Sequence, residues 1–184
     1  MSRVTGFEIL SLSRNIGRIL AATLLGFLGH LFIYYIVFRS RLQKGSIALA
    51  EQIRLAMGLP ARVLQGGIAE EVQFRWGLMS LVAASGTLLA PNQSQGLILL
   101  SIGASAFLFA LFHLIGARQI GVAHDGSEIA LTIVDNTWGG IVFGWLFWKY
   151  GLAAAMISHA LFHLAWFPIE RVIHRSEQGH AGEA

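Results

Sequence analysis

Residues 96–117 read GLILLSIGASAFLFALFHLIGA, a run with no Lys, Arg, Asp or Glu. At about 1.5 Å of rise per residue, a helix of this length covers the roughly 30 Å hydrocarbon core of a bilayer. Four further apolar segments flank it, at about 16–38, 61–90, 129–150 and 152–169. The pattern predicts an all-α, polytopic transmembrane helix bundle of about five spans. Between the first two spans, residues 46–59 set apolar positions against Glu51 and Arg54 at helical intervals. They predict a short interfacial helix that Pro60 ends. Residues 91–95 form an uncharged turn, 118–128 a polar loop, and Pro168 stops the last span ahead of a polar tail. Residues 178–184 are expected to be disordered. No repeat or linker divides the 184 residues, so a single membrane domain is expected.

Composition agrees. Charged residues make up 12% of the chain and hydrophobic residues 55%, with a mean hydropathy of +0.63. A soluble domain carries roughly twice that charged fraction. Disordered chains, coiled coils and nucleic-acid-binding domains need more charge still, and the net +3 is no nucleic-acid signal. Cysteine is absent, which removes disulfides, thiolate metal sites and a cysteine nucleophile. With the N-terminus outside, Arg39, Arg41, Lys44, Arg54, Arg62, Arg118, Arg171 and Arg175 fall on the inner face. Arg3, Arg14, Arg18 and Lys149 fall outside. The excess of basic residues inside places the C-terminus in the cytoplasm, with a bacterial inner membrane the expected location.

The informative residues are the charges within a span. Glu70, Glu71 and Arg75 lie in the second apolar segment, where each costs about 2.5–3.5 kcal/mol at a helix centre. Such groups face protein or water and usually serve function. Glu71 and Arg75, four apart, are expected to form an ion pair, leaving Glu70 without a local partner. His113 ends the third span, and His159 and His163 share a face of the fifth. Counted from the Arg62 face at 1.5 Å per residue, Glu70, His113, His159 and His163 lie about 12, 6, 15 and 9 Å deep. Four ionisable groups from three helices thus occupy one depth band. A desolvated carboxylate can activate water and imidazoles can stabilise a developing oxyanion, the two requirements of amide hydrolysis. Neither a Ser-His-Asp set nor an HExxH motif is evident.

Three motifs resemble those of the CAAX protease and bacteriocin-processing family of intramembrane proteases (CPBP, or Abi). Residues 70–75, EEVQFR, match its EExxxR motif. Phe109 with His113 matches FxxxH, and His159 with His163 resembles HxxxN/D. The glycine-rich stretch at Gly139, Gly140 and Gly144 is also similar. The resemblance covers about 60–168 as the catalytic core. It implies an endopeptidase in which Glu70 and His113 activate water while His159 and His163 stabilise the oxyanion. It implies a membrane-associated peptide or lipidated protein as substrate, and membrane lipid as surroundings. No cofactor is required as a first expectation. His163 stands where the family has Asn or Asp, and Glu70 with three histidines also makes a zinc ligand set. The family usually carries more spans. Two other functions fit the same residues: a binding or immunity protein of this fold that does not cleave, and a proton-coupled transporter using Glu70 and the histidines as a relay. A bis-histidine haem protein is a third.

Elsewhere the residues read as structural. His30 lies outside every motif. Asp135 and Asn136 are expected to cap or join helices. Trp138, Phe143, Trp145, Phe147, Trp148 and Tyr150 are expected mostly to face lipid or form an interfacial belt. His124 and Asp125 are expected in a solvated loop.

Overall fold

The computed structural model describes residues 9–89 and 95–181. Those residues form an all-helical bundle: α1 (Ile9–Leu31), α2 (Lys44–Arg62), α3 (Ser80–Leu89), α4 (Gln95–Gln119), α5 (Gly126–Tyr150) and α6 (Leu152–Ala181). Helix α1 runs on in a wider π winding over Phe32–Phe38 and a tight turn at Arg39–Arg41. Helix α2 passes into two π-wound stretches, Val63–Glu70 and Val72–Met79, which lead to α3.

Four helical stretches are long and apolar enough to cross a membrane: Ser13–Arg41, Gln95–Gln119, Gly126–Tyr150 and Leu152–His174. The chain is an integral membrane protein. The segment expected as the second span is helical from 63 to 89, but it is not among these four. Its three charges lower its hydropathy. The bundle makes room for them by enclosing Glu71 and Arg75 completely. Outward-facing aliphatics complete the picture, with Ile36 and Leu88 at 70% and 85% exposure. In water these would be costly, whereas in lipid they meet a matching solvent.

The interfacial helix is present within α2 and ends earlier than expected. Gly58, at φ 73°, ψ 162°, breaks the helix, and Pro60 lies two residues further on. Pro60 thus opens the next helix, where its missing N–H costs nothing. Pro168 does not stop α6, which continues to Ala181, past the point where disorder was expected. Residues 182–184 of that expected tail, and residue 90 with 91–94 of the expected turn, lie outside the described residues, while Gln95 begins α4.

Helix α5 is the centre of the bundle, packing on α1, α4 and α6. Its Gly140 lies against Ala106 of α4, where an added Cβ would meet the Ala106 Cα at 2.7 Å. Gly144, one turn on, lies over Ile102. This small-residue seam brings the two backbones together. The same central position overturns the lipid-facing reading of the α5 aromatics. Phe143 and Phe147 are buried in the core with Ile19, Met79, Ile102 and Leu146. Trp138 donates its indole N–H to the Gly26 carbonyl at 2.9 Å. At the far end, Lys149 lies 3.6 Å from the Trp148 ring centroid. Asp125 is a cap: it accepts from the Glu128 amide at 2.8 Å, while Glu128 reaches back to the Asp125 amide, closing a capping box at the start of α5.

Candidate active site

The stretch Val63–Glu70 carries the first functional side chain and makes space for the others. Its winding bonds residues five apart, so Gln65 and Glu70 both line one cavity. On the opposing side α6 approaches to backbone contact. A Cβ on Gly67 would lie 3.1 Å from the Ala160 Cα. Beside it, a Cβ on Gly66 would fall 2.2 Å from the His163 Nε2 and 3.1 Å from the His159 Nε2. Both imidazoles therefore direct Nε2 at a position that only glycine leaves open. The two rings stack with centroids 4.9 Å apart.

Glu71 and Arg75 are both fully buried, with Nε of Arg75 3.2 Å from Oε2 of Glu71. The expected pair is present. Among the described residues the guanidinium has no well-aligned hydrogen-bond acceptor. Its charge is met by Glu71 and by the faces of Phe109 and Phe143, whose centroids lie 4.6 and 5.7 Å from Cζ. The other oxygen of Glu71 accepts from Nδ1 of His159 at 2.8 Å. Because a carboxylate only accepts, the proton of neutral His159 sits on Nδ1, and Nε2 presents a lone pair to the cavity.

His113 is fixed in the same manner from its own helix. Its Nδ1 donates to the Phe109 carbonyl at 3.0 Å, and its ring lies 4.3 Å from that of Phe109. The motif spacing between Phe109 and His113 is thus one helical turn that sets a tautomer. Nε2 of His113 faces Oε1 of Glu70 at 3.8 Å, beyond direct hydrogen bonding. Glu70 therefore faces His113, from a helix the sequence alone did not pair with it.

Glu70, His113, His159 and His163 all line one cavity of about 490 Å³, with Phe109, Phe143 and Phe162 among its walls. The convergence of α4, α6 and the π-wound segment gathers them. Arrangement around a zinc ion is a different matter. Among the described residues no three His, Asp or Glu side chains form a group that would hold a metal. His159 and His163 aim at Gly66, while His113 faces Glu70 one turn further along the same stretch.

Several site features escaped the sequence reading. Gly66 and Gly67 carried a signal, being two adjacent glycines one turn before Glu70 in a predicted helix. Ser105 of α4 donates to the Phe74 carbonyl at 2.7 Å, tying down the motif-bearing segment. Glu170 joins Arg54 and Arg62, the latter at 2.7 Å, near the end of the cavity. His30 and Asp135, read as structural, also line the cavity.

The Gly66 geometry predicts a separation of folding from activity. Gly66→Ala meets the Nε2 tip of His163 and, less closely, that of His159, so the rings turn away and the bundle stays folded. Turnover falls about a hundredfold, as for other small displacements of reacting groups. Gly67→Ala meets the α6 backbone and lowers the melting temperature as well. Unchanged kcat in Gly66→Ala would show that His163 takes no part.

A carboxylate and three imidazoles thus line one cavity within a bundle of membrane-spanning helices. Residues 52–165 match the family model described as type II CAAX prenyl endopeptidase Rce1-like, and the chain belongs to that family of membrane proteases. No curated protein and no solved structure matches it.

Proposed function

We propose that the protein hydrolyses a peptide bond in a prenylated, membrane-associated substrate, using water activated by Glu70 and His113. The observation that carries this reading is the pair of acceptors, Oε1 of Glu70 and Nε2 of His113, 3.8 Å apart on one cavity wall. A water within hydrogen-bond reach of both donates one proton to each and keeps a lone pair for attack. The new C–O bond forms as Glu70 takes the proton. The oxygen that gains charge lies at the Nε2 atoms of His159 and His163. His163 donates from its Nε2–H tautomer, and His159 donates as the imidazolium that Glu71 stabilises, protonated before the attack and keeping that proton through collapse. Collapse breaks the C–N bond, and the proton on Glu70 passes to the leaving amine. The apolar cavity receives the lipidated chain. The cytoplasmic C-terminus follows from the distribution of basic residues, and a bacterial inner membrane is part of the same proposal.

The test is the purified full chain in lipid vesicles, given an S-farnesylated CAAX peptide and its unlipidated counterpart. Cleavage at one bond, faster for the lipidated peptide, is expected. Absence of hydrolysis by the wild-type chain would overturn the reading. Turnover is also expected to survive extensive chelation within about twofold, since catalysis assigned to Glu70 and His113 needs no Lewis acid. Loss of turnover restored by zinc would return the metal alternative.

A further inference from the structure

A second histidine–carboxylate pair stands in the same cavity, outside all three motifs. His30 of α1 and Asp135 of α5 are 105 positions apart in sequence, yet Nδ1 of His30 lies 2.9 Å from both carboxylate oxygens of Asp135. The His30 side chain is 9% exposed, and among the described residues its Nε2 has no hydrogen-bond partner. A buried nitrogen left in that state costs about 1–3 kcal/mol. As a tie between helices the pair is redundant. Trp138 already joins α5 to the Gly26 carbonyl, and its ring lies against Gly29.

The surroundings point to a ligand. Tyr34, Phe162 and Trp166 pack around His30 with centroids 6.2, 4.9 and 4.6 Å away. Phe162 also touches the catalytic side, with its centroid 5.8 Å from His163. One ring therefore separates His30 from His163, a gap of at most about three residues of extended peptide at roughly 3.3 Å each. The chemistry repeats that of His113, whose anchored Nδ1 leaves Nε2 as an acceptor. Asp135 accepts the proton of Nδ1, so the neutral ring offers Nε2 as an acceptor. Within an apolar cavity, a peptide N–H needs such an acceptor.

We propose that His30, once a covering ring turns to expose its Nε2, binds the substrate by accepting one backbone N–H, within about three residues of the cleaved bond, and that Asp135 is the positioning residue that holds its tautomer. This rests on the proteolytic reading above, and binding separates the two. The probe is a fluorescent S-farnesylated CAAX peptide, titrated onto the full chain carrying Glu70→Gln in lipid vesicles. Adding His30→Phe weakens binding about tenfold, the worth of one hydrogen bond. His30→Gln, whose amide oxygen reaches the Nε2 position, retains most of the affinity. Asp135→Leu matches His30→Phe, while Asp135→Asn loses less. On the substrate side, esters replace the backbone amides one at a time. A single ester position weakens binding about tenfold, and His30→Phe adds nothing further at that position. The ester series requires no variant at His30 to fold. Equal binding of every ester, or unchanged affinity in folded His30→Phe, would overturn the assignment. Failure of the wild-type chain to cleave, with His30-dependent binding intact, would overturn only the proteolytic reading.

Discussion

Glu70→Gln lowers turnover of the farnesylated peptide by about 10²–10⁴-fold, the usual contribution of a positioned general base. The replacement keeps size and shape and removes the group that takes the proton of water. It leaves an amide oxygen that accepts a hydrogen bond but takes no proton, beside the Nε2 of His113, which lies 3.8 Å from Oε1 of Glu70 in the wild-type protein. Little stability is at stake, because Glu70 is not one of the enclosed ion-paired residues and its side chain is 13% exposed. The melting temperature therefore stays within a degree or two of wild type, while kcat collapses. KM changes little, since the carboxylate acts on water rather than on the peptide. Glu70→Ala behaves in the same way, with a larger opening in the wall. Undiminished turnover by either variant in a folded protein would remove Glu70 from the mechanism. It would favour a protein that keeps the motif geometry for binding.

Arg75→Leu has the opposite signature, a loss of stability of about 3–5 kcal/mol. Glu71 is fully buried, and its countercharge is the guanidinium 3.2 Å away. Deleting that charge leaves an enclosed carboxylate whose remaining partner is the His159 ring, with Nδ1 2.8 Å away. A surface ion pair would cost little to break, and an enclosed one costs much because its survivor has nowhere to find water. Restoring neutrality tests this account. The double replacement Glu71→Gln, Arg75→Leu leaves no unpaired charge and regains most of the melting temperature lost by Arg75→Leu alone. It does not regain activity, because His159 has lost the carboxylate 2.8 Å from its Nδ1. Thermal unfolding in detergent and turnover in vesicles therefore move independently across the three proteins. A double variant as unstable as Arg75→Leu would assign the cost to lost packing of the guanidinium on the two rings instead.

The pair of predictions reflects how the two adjacent glutamates divide their work. Glu70 faces the cavity and meets a histidine from another helix. Glu71, one position on, turns into the bundle and meets an arginine and the histidine it orients. Adjacent helical residues point about 100° apart, so this division needs no special backbone. The chain had only to surround one of them and leave the other beside open space.

Much of this was legible in the residues. A charge-free run at 96–117 and other long apolar segments with few charges dictate lipid as solvent, because a helix satisfies its own backbone hydrogen bonds in hydrocarbon. The i, i+4 spacing of Glu71 and Arg75 dictates their pairing, since both ends lie on one helix. The same holds for the turn between Phe109 and His113. These are local relations, fixed by 3.6 residues per turn. The depth band shared by Glu70, His113, His159 and His163 was also within reach, because rise per residue is constant. Tertiary structure decided everything that depends on which helices touch. It turned Phe143 and Phe147 from lipid into the core, because α5 lies at the centre of the bundle. It carried α6 past Pro168. It set His159 on Glu71 and His113 on Glu70, and joined His30 to Asp135 across 105 positions. Helical periodicity tells which side of a cylinder a residue occupies, but it carries no information about the neighbour that side will meet. That choice was made by the close approaches at Gly67 and Gly140, where the absence of a side chain lets one backbone reach another.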